Sequence, residues 1–238
     1  MDRLGPYELN TIVTGDAREL ARLIPDSSVD LILTDPPFGI NFKYSNGFKD
    51  DPAQYEDLIR WLVTESNRVV KPGGLCFVFV AQLRLRHIWS LFPDDSRIFA
   101  ACKNFVQMRP AAVQFAYDPV IFWRKDGPKL KDDNGRDWFV ANTANTNNRG
   151  INNVDFHDCP RPLDVIIYMI DNFCPKNGLV IDWFMGSGTM ALAAKITGRK
   201  YWGCEIKADT ADKARQRVEL TQPLLFVVQP TQDSFTDF

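Results

Sequence analysis

Residues Val29 to Gly39 read VDLILTDPPFG, and this stretch decides the fold class. Its first six residues form a near-continuous apolar run, the pattern of a parallel strand buried on both faces. The two prolines that follow each fix φ and restrict the residue before them. A buried strand therefore ends in a rigid loop, and that loop carries a carboxylate, Asp35, and a flat ring, Phe38.

Working outward, apolar runs alternate with helix-like stretches, the rhythm of an α/β protein. Thr11 to Val13 reads as a short strand and Ala17 to Leu23 as a helix. Leu58, Trp61, Leu62, Glu65 and Val69 mark a helix over Ala53 to Val70, which Lys71-Pro-Gly-Gly74 stops in a turn. Leu75 to Val80 is a second buried strand, and Val113 to Trp123 reads as a strand pair near the sheet edge. Asp126 to Asp158 carries seven Asn and little periodicity, so it reads as a long polar surface segment. Regular structure returns with a helix at Pro162 to Phe173, a strand at Leu179 to Ile181 and a glycine loop with a helix at Gly186 to Thr197. A strand at Lys200 to Cys204 and a helix at Ala208 to Leu220 complete the pattern. The composition suits one folded domain over residues 1–225, with a flexible tail at 226–238.

Composition narrows the function classes. The chain has 238 residues, 45% apolar and 24% charged, which is ordinary for a soluble globular protein. No apolar run approaches a membrane span, and Met1 to Asn10 lacks the apolar core of a signal peptide. Five scattered cysteines with no Cys-x-x-Cys pair fit a reducing cytoplasm and argue against a zinc ribbon or a disulfide scaffold. With His87 and His157 the only histidines, a metal site is not expected. The net charge of −2 gives no overall basic signal for nucleic acid, so any such contact must come from localised charge.

Two motifs carry chemistry. In the first, Asp35-Pro36-Pro37-Phe38, the rigid loop can aim the Asp35 carboxylate and the Pro36 carbonyl at one point. Both are acceptors, and an aromatic amine offers two N–H donors. Two such acceptors would free the amine lone pair for attack and stabilise the positive charge that develops on nitrogen, while Phe38 stacks on the base. A strand-end turn capped by an Asp would look the same locally. The second motif, Asp182-Trp-Phe184-Met-Gly186-Ser187-Gly188-Thr189, lies between a strand and a helix N-terminus, where glycines let backbone approach a ligand. By itself it matches the Gly-x-Gly-x-x-Ala dinucleotide fingerprint, with Glu205 about 20 residues on as a ribose ligand. At this point NAD and S-adenosylmethionine both remain open. The pairing with Asp35-Pro-Pro-Phe38 favours methyl transfer, because hydride transfer has no use for two acceptors on an amine.

Together these motifs resemble the amino-group DNA methyltransferases, in the beta-group order with the catalytic motif before the cofactor motif. Gly15-Asp16, the run ending Arg68-Val-Val-Lys-Pro-Gly-Gly74, Phe115 to Lys125, and His157 to Asp164 resemble further blocks of that family. The resemblance covers about residues 11 to 220. It implies a Rossmann-like S-adenosylmethionine-dependent methyltransferase fold, mostly parallel with an antiparallel edge hairpin and a circularly permuted motif order. It implies catalytic roles for Asp35, Pro36, Pro37 and Phe38. It also implies cofactor contacts from Asp16, Asp35, Arg161, Asp182, Phe184, Gly186, Ser187, Gly188, Thr189 and Glu205, with Asp16 near the adenine and Arg161 near the methionine end. The substrate implied is double-stranded DNA with a flipped base, methylated at adenine N6, or at cytosine N4 by the same chemistry.

A homodimer and a restriction endonuclease partner are further family traits. Basic residues for backbone contact include Arg84, Arg86, Arg109 and Lys129, with Arg124, Lys125, Arg136 and Arg149 as DNA-binding candidates. Two departures stand out. The target-recognition segment, residues 126–158, is short, and Phe38 replaces the commoner Tyr. An NAD(P)-dependent oxidoreductase and a catalytically silent DNA-binding scaffold are the readings from other classes.

Overall fold

A computed structural model of the chain describes residues 2–42, 50–104, 113–129, 135–141 and 160–221. In chain order the strands are β1 (Arg3–Leu4), β2 (Tyr7–Glu8), β3 (Thr11–Thr14), β4 (Val29–Thr34), β5 (Val70–Phe79), β6 (Arg97–Lys103), β7 (Tyr117–Arg124), β8 (Trp138–Ala141), β9 (Leu179–Asp182) and β10 (Lys200–Glu205). The α-helices are α1 (Ala17–Ala21), α2 (Pro52–Val69), α3 (Leu85–Ile88), α4 (Leu163–Phe173), α5 (Thr189–Ile196) and α6 (Ala208–Leu220). Among the described residues no helix is long and apolar enough to cross a membrane.

β1 and β2 pair as a small ribbon, and the other strands form one sheet in the order β3-β10-β9-β4-β5-β7-β6-β8. β3, β10, β9, β4 and β5 run parallel, β7 runs antiparallel between β5 and β6, and β8 lies parallel to β6. Period-two alternation assigns each central side chain to one of two cores. On one face Leu31, Leu33, Phe77, Phe79 and Val180 pack with α4, α5 and α6. On the other, Val29, Ile32, Cys76, Val78 and Ile181 pack with residues of α1 and α2. Burial on both faces is why these strands read as unbroken apolar runs.

Asp51 caps α2 by accepting from Ala53 N at 2.9 Å, with Pro52 in the first turn where its missing N–H costs nothing. The buried stripe of α2 is Tyr55, Ile59, Leu62, Ser66 and Val69, so the Leu58 and Glu65 positions lie off its centre.

Three expectations need correction. Lys71-Pro-Gly-Gly74 is not a separate turn; it lies within β5 as a bulge, since Val29 pairs with Val70 but Leu31 pairs with Leu75. Val113 to Trp123 is not a strand pair; one strand, β7, begins at Tyr117, and its outer partner is β6, which a sequence with Arg and Lys at both ends does not advertise. The polar stretch 126–158 contains β8, whose Phe139 is buried and stacks on Tyr168 at 4.8 Å between centroids. That places Phe139 as an anchor in the core. The tail expected to be flexible lies outside the described residues.

Candidate active site

The catalytic-type and glycine motifs are 147 residues apart in sequence, yet they emerge from neighbouring strands. β4 pairs with β9 through Leu31–Val180 and Ile32–Ile181, so Asp35 and Asp182 reach the same sheet edge. Strand order reverses here, with β5 on one side of β4 and β9 and β10 on the other. In open α/β sheets that switch point is where a ligand crevice forms. A cleft of about 1160 Å³ opens there, lined by Asp16, Asp35, Pro36, Pro37, Phe38, Arg161, Asp182, Phe184, Gly186, Ser187, Thr189 and Glu205 among others.

The loop after Phe38 is held by one buried carboxylate that the motif reading does not include. Asp50 Oδ1 accepts from Gly39 N at 2.6 Å, and Oδ2 accepts from Ile40 N and Phe42 N at 2.8 and 3.2 Å. Asn41 N donates to the Asp50 carbonyl at 3.1 Å, so four consecutive amides converge on one residue. Arg84 donates to the Gly39 carbonyl from the other side. Gly39 sits at φ +61, and a Cβ there would lie 2.5 Å from Tyr55 Cβ, so both conformation and space require glycine. Burial and the neighbouring carboxylates of Asp35 and Asp50 push the Tyr55 phenol far above its usual range, keeping it neutral.

Asp35 itself is paired. Arg161 Nε donates to Oδ2 at 2.6 Å and Nη2 to Oδ1 at 2.8 Å, a bidentate fork. Arg161 Nη1 also donates to Asp118 Oδ2 at 2.7 Å, and Lys103 Nζ to Asp118 Oδ1 at 2.9 Å. The guanidinium lies 5.2 Å from the Phe38 ring centroid and 4.8 Å from that of Phe79.

On the other half of the cleft, Gly186 and Gly188 turn the chain through positive φ, at 50° and 79°. Glu205, at the end of β10, accepts from Gly186 N and Lys207 N at 3.0 Å each, which ties the glycine loop to the strand end. Gly188 caps α5 rather than lining the cleft; a Cβ there would lie 3.1 Å from Ala214 Cβ. Beneath the loop, Arg217 of α6 donates to the Ser187 carbonyl at 2.9 Å and to Thr189 Oγ1 at 3.0 Å. Its burial lowers the guanidinium pKa to about 10.

Asp182 is 5% exposed and bridges the two strand ends, with Oδ1 accepting from Thr34 Oγ1 at 2.7 Å and from Phe184 N at 3.0 Å. Burial pushes its pKa up to about 7, against the pull of those two bonds. Asp16 follows β3 by two residues and caps α1 by accepting from Arg18 N at 2.7 Å.

Of the sequence-derived site residues, the Asp35 motif and all the cofactor candidates except Gly188 line one cleft. Trp183 and Trp202 are buried among core residues, and the Trp183 indole donates to Ser66 Oγ at 3.0 Å. Arg124 and Lys125 are not brought to the cleft. They lie at the end of β7, beside the first half of β5 and at the opposite sheet edge, where Arg124 donates to the Gly73 carbonyl and Lys125 to the carbonyls of Arg68 and Val70. Arg136 is exposed with its guanidinium over Trp138, and Arg149 lies outside the described residues. The motif reading misses Asp50, Asp118 and Arg217, and it counts Arg84 as a basic residue for DNA contact, where the structure has it donating to the Gly39 carbonyl. Only Asp50 carries a local signal, since Asp-Asp-Pro marks a helix start; the others act across long sequence separations.

Comparison with known proteins gives a consistent result. The DNA methylase family of N6/N4 type matches residues 29–148 and 111–216. Type II methyltransferase M.BglII of Bacillus subtilis is 26% identical over 256 residues, covering 87% of this chain and 68% of its own. The cytosine-N4-specific PvuII DNA methyltransferase superposes with a TM-score of 0.72 at 20% identity, covering 92% of this chain and 91% of its own. M1.HpyAVI, in a complex with SAM, superposes at 0.66 with 20% identity, over 88% of this chain and 99% of its own.

Proposed function

The chain belongs to the N6/N4 DNA methylase family, and on that premise we propose that it methylates adenine N6 in duplex DNA. The observation that carries the reading is the shared cleft, in which the Asp35-Pro-Pro-Phe38 loop and the glycine loop with Glu205 face one cavity. The donor set fits S-adenosylmethionine: a carboxylate at a strand end for ribose hydroxyls, a glycine turn that admits close approach, and the Phe184 ring beside it. When bound, that cofactor supplies an electrophilic methyl group on a sulfonium. NAD-dependent chemistry, open on the glycine motif alone, gives no role to Asp35.

The chain's own residues then do three things. Phe38 offers a face on which a flipped base stacks, and unstacking that base costs a few kcal/mol. Asp35 accepts hydrogen bonds from the amino group, which draws its lone pair out of conjugation and stabilises charge as it develops on nitrogen. The prolines and Asp50 hold the loop so that little reorganisation is needed at the moment of transfer.

Asp35 supports adenine, because the usual cytosine-N4 motif of this family begins with Ser. Cytosine N4 is the second reading, favoured by the likeness to the cytosine-N4-specific PvuII enzyme. Incubating the purified chain with radiolabelled S-adenosylmethionine and mixed-sequence duplex DNA, followed by nucleoside mass spectrometry, separates them. N6-methyladenine is the expected product. N4-methylcytosine would move the base assignment, and no labelled nucleoside would overturn the reading.

A further inference from the structure

A rigid backbone does not by itself aim a carboxylate. The prolines fix φ of the loop, but the Asp35 side chain still turns about two bonds, and its acceptor plane decides whether an amine is met in line. In the structure that plane is set by the Arg161 fork, which takes both Asp35 oxygens at 2.6 and 2.8 Å. A carboxylate has about four acceptor sites, so a bidentate arginine leaves others open for an amine.

Arg161 is itself fixed from three sides. Asp118 holds Nη1 at 2.7 Å, and the rings of Phe38 and Phe79 lie on the guanidinium at 5.2 and 4.8 Å. Asp118 is in turn held by Lys103 at 2.9 Å. The four side chains come from four places, namely β6, β7, the lead-in to α4 and the end of β4, and they alternate in sign. All four line the cleft. The alternation gives each charge an opposite partner, the condition under which charged groups persist in a partly buried cleft.

We propose that Asp118 and Arg161 are a positioning pair that orients the Asp35 carboxylate for methyl transfer, with Lys103 holding Asp118 in place. The inference rests on the reading of the cleft as an amino-methyltransferase site. It assigns Arg161 to the carboxylate, where the family resemblance assigns it to the methionine end of the cofactor.

The test compares Asp118→Asn, Arg161→Lys and Arg161→Ala with the parent chain. Three quantities are read: kcat at saturating cofactor and DNA, the cofactor Kd by calorimetry, and the melting temperature. Asp118→Asn keeps the shape but removes the charge that pins Arg161. Its kcat should fall on the order of 10- to 100-fold, the usual consequence of about 1 Å of misplacement, while the Kd stays within about twofold. Arg161→Lys should be nearly as impaired in kcat as Arg161→Ala, because lysine keeps the charge but offers no fork. An activity in Arg161→Lys close to the parent's would overturn the positioning role, and so would an unchanged kcat in Asp118→Asn. A cofactor Kd raised more than about tenfold in Arg161→Ala at unchanged kcat would make Arg161 a cofactor ligand instead. A parent chain that methylates no DNA sinks the functional reading and this inference with it.

Discussion

Asp182→Asn should stabilise the chain, and increasingly so as pH rises. The buried Asp182 carboxyl has its pKa pushed from 3.8 to about 7, chiefly by burial. Between those values the folded chain keeps a proton that the unfolded chain has released, so stability falls as pH rises. The contribution of the protonated form is complete below the unfolded value and is lost as pH climbs to the folded one. At about 1.4 kcal/mol per pH unit the loss is roughly 3 kcal/mol at pH 6 and on the order of 4 kcal/mol at pH 8.5. Asparagine does not titrate. Both hydrogen bonds, from Thr34 Oγ1 and Phe184 N, end on the same oxygen, so the Asn carbonyl can accept both. The stability gap between variant and parent should therefore widen by about 1 kcal/mol between pH 6 and pH 8.5, or about 2–4 °C in melting temperature for a chain of this size. Urea unfolding of both proteins at the two pH values measures this directly. Titrating groups that do not couple to Asp182 are common to both proteins and cancel in the difference, which leaves only its neighbours Asp35, Glu205 and Cys204. Parallel pH profiles, or a gap that narrows with pH, would refute an Asp182 that resists ionisation.

Three further outcomes are expected. Asp35→Ala should lower kcat on the order of 10²- to 10³-fold with cofactor affinity retained, measured by transfer of labelled methyl and by calorimetry; near-normal turnover would remove Asp35 from the chemistry. Asp50→Asn should cost about 1–3 kcal/mol in urea unfolding, because whichever way the new amide turns, its N–H donors face at least one of the Gly39, Ile40 and Phe42 amides; parent-like stability would show that the loop is held some other way. Glu205→Ala should weaken cofactor binding about 10- to 100-fold, since it removes the acceptor that faces the cleft and holds Gly186 N; an unchanged Kd would mean that Glu205 only ties the loop down.

Several functional residues act through partners far away in sequence, and this explains what motif reading could not reach. Asp50 was open to reading as part of a helix start, but its carboxylate serves amides 8 to 11 positions earlier. Asp118 was a polar residue inside a strand, with nothing nearby to mark its tie to Arg161, 43 positions on. Arg217 on a polar-looking helix gave no sign that it turns beneath the glycine loop, 28 to 30 residues back. Conversely, the charge of Arg124 and Lys125 is legible in the sequence, while the sheet edge they occupy is not.

The central strands, most helices and the two chemical motifs are legible in the residues alone, because each rests on local causes. Burial on both faces writes an apolar run, and a rigid loop writes two prolines. A left-handed turn writes glycine, at 186 facing the cleft and at 188 capping α5. The bulge at Lys71 to Gly74 within β5, the extension of the sheet by β6 and β8, and the approach of Arg161 to Asp35 come instead from packing across the whole fold. These depend on which strand lies beside which. Pairing β4 with β9 is a long-range choice, made by the summed burial of two sheet faces, and no short stretch of residues encodes it.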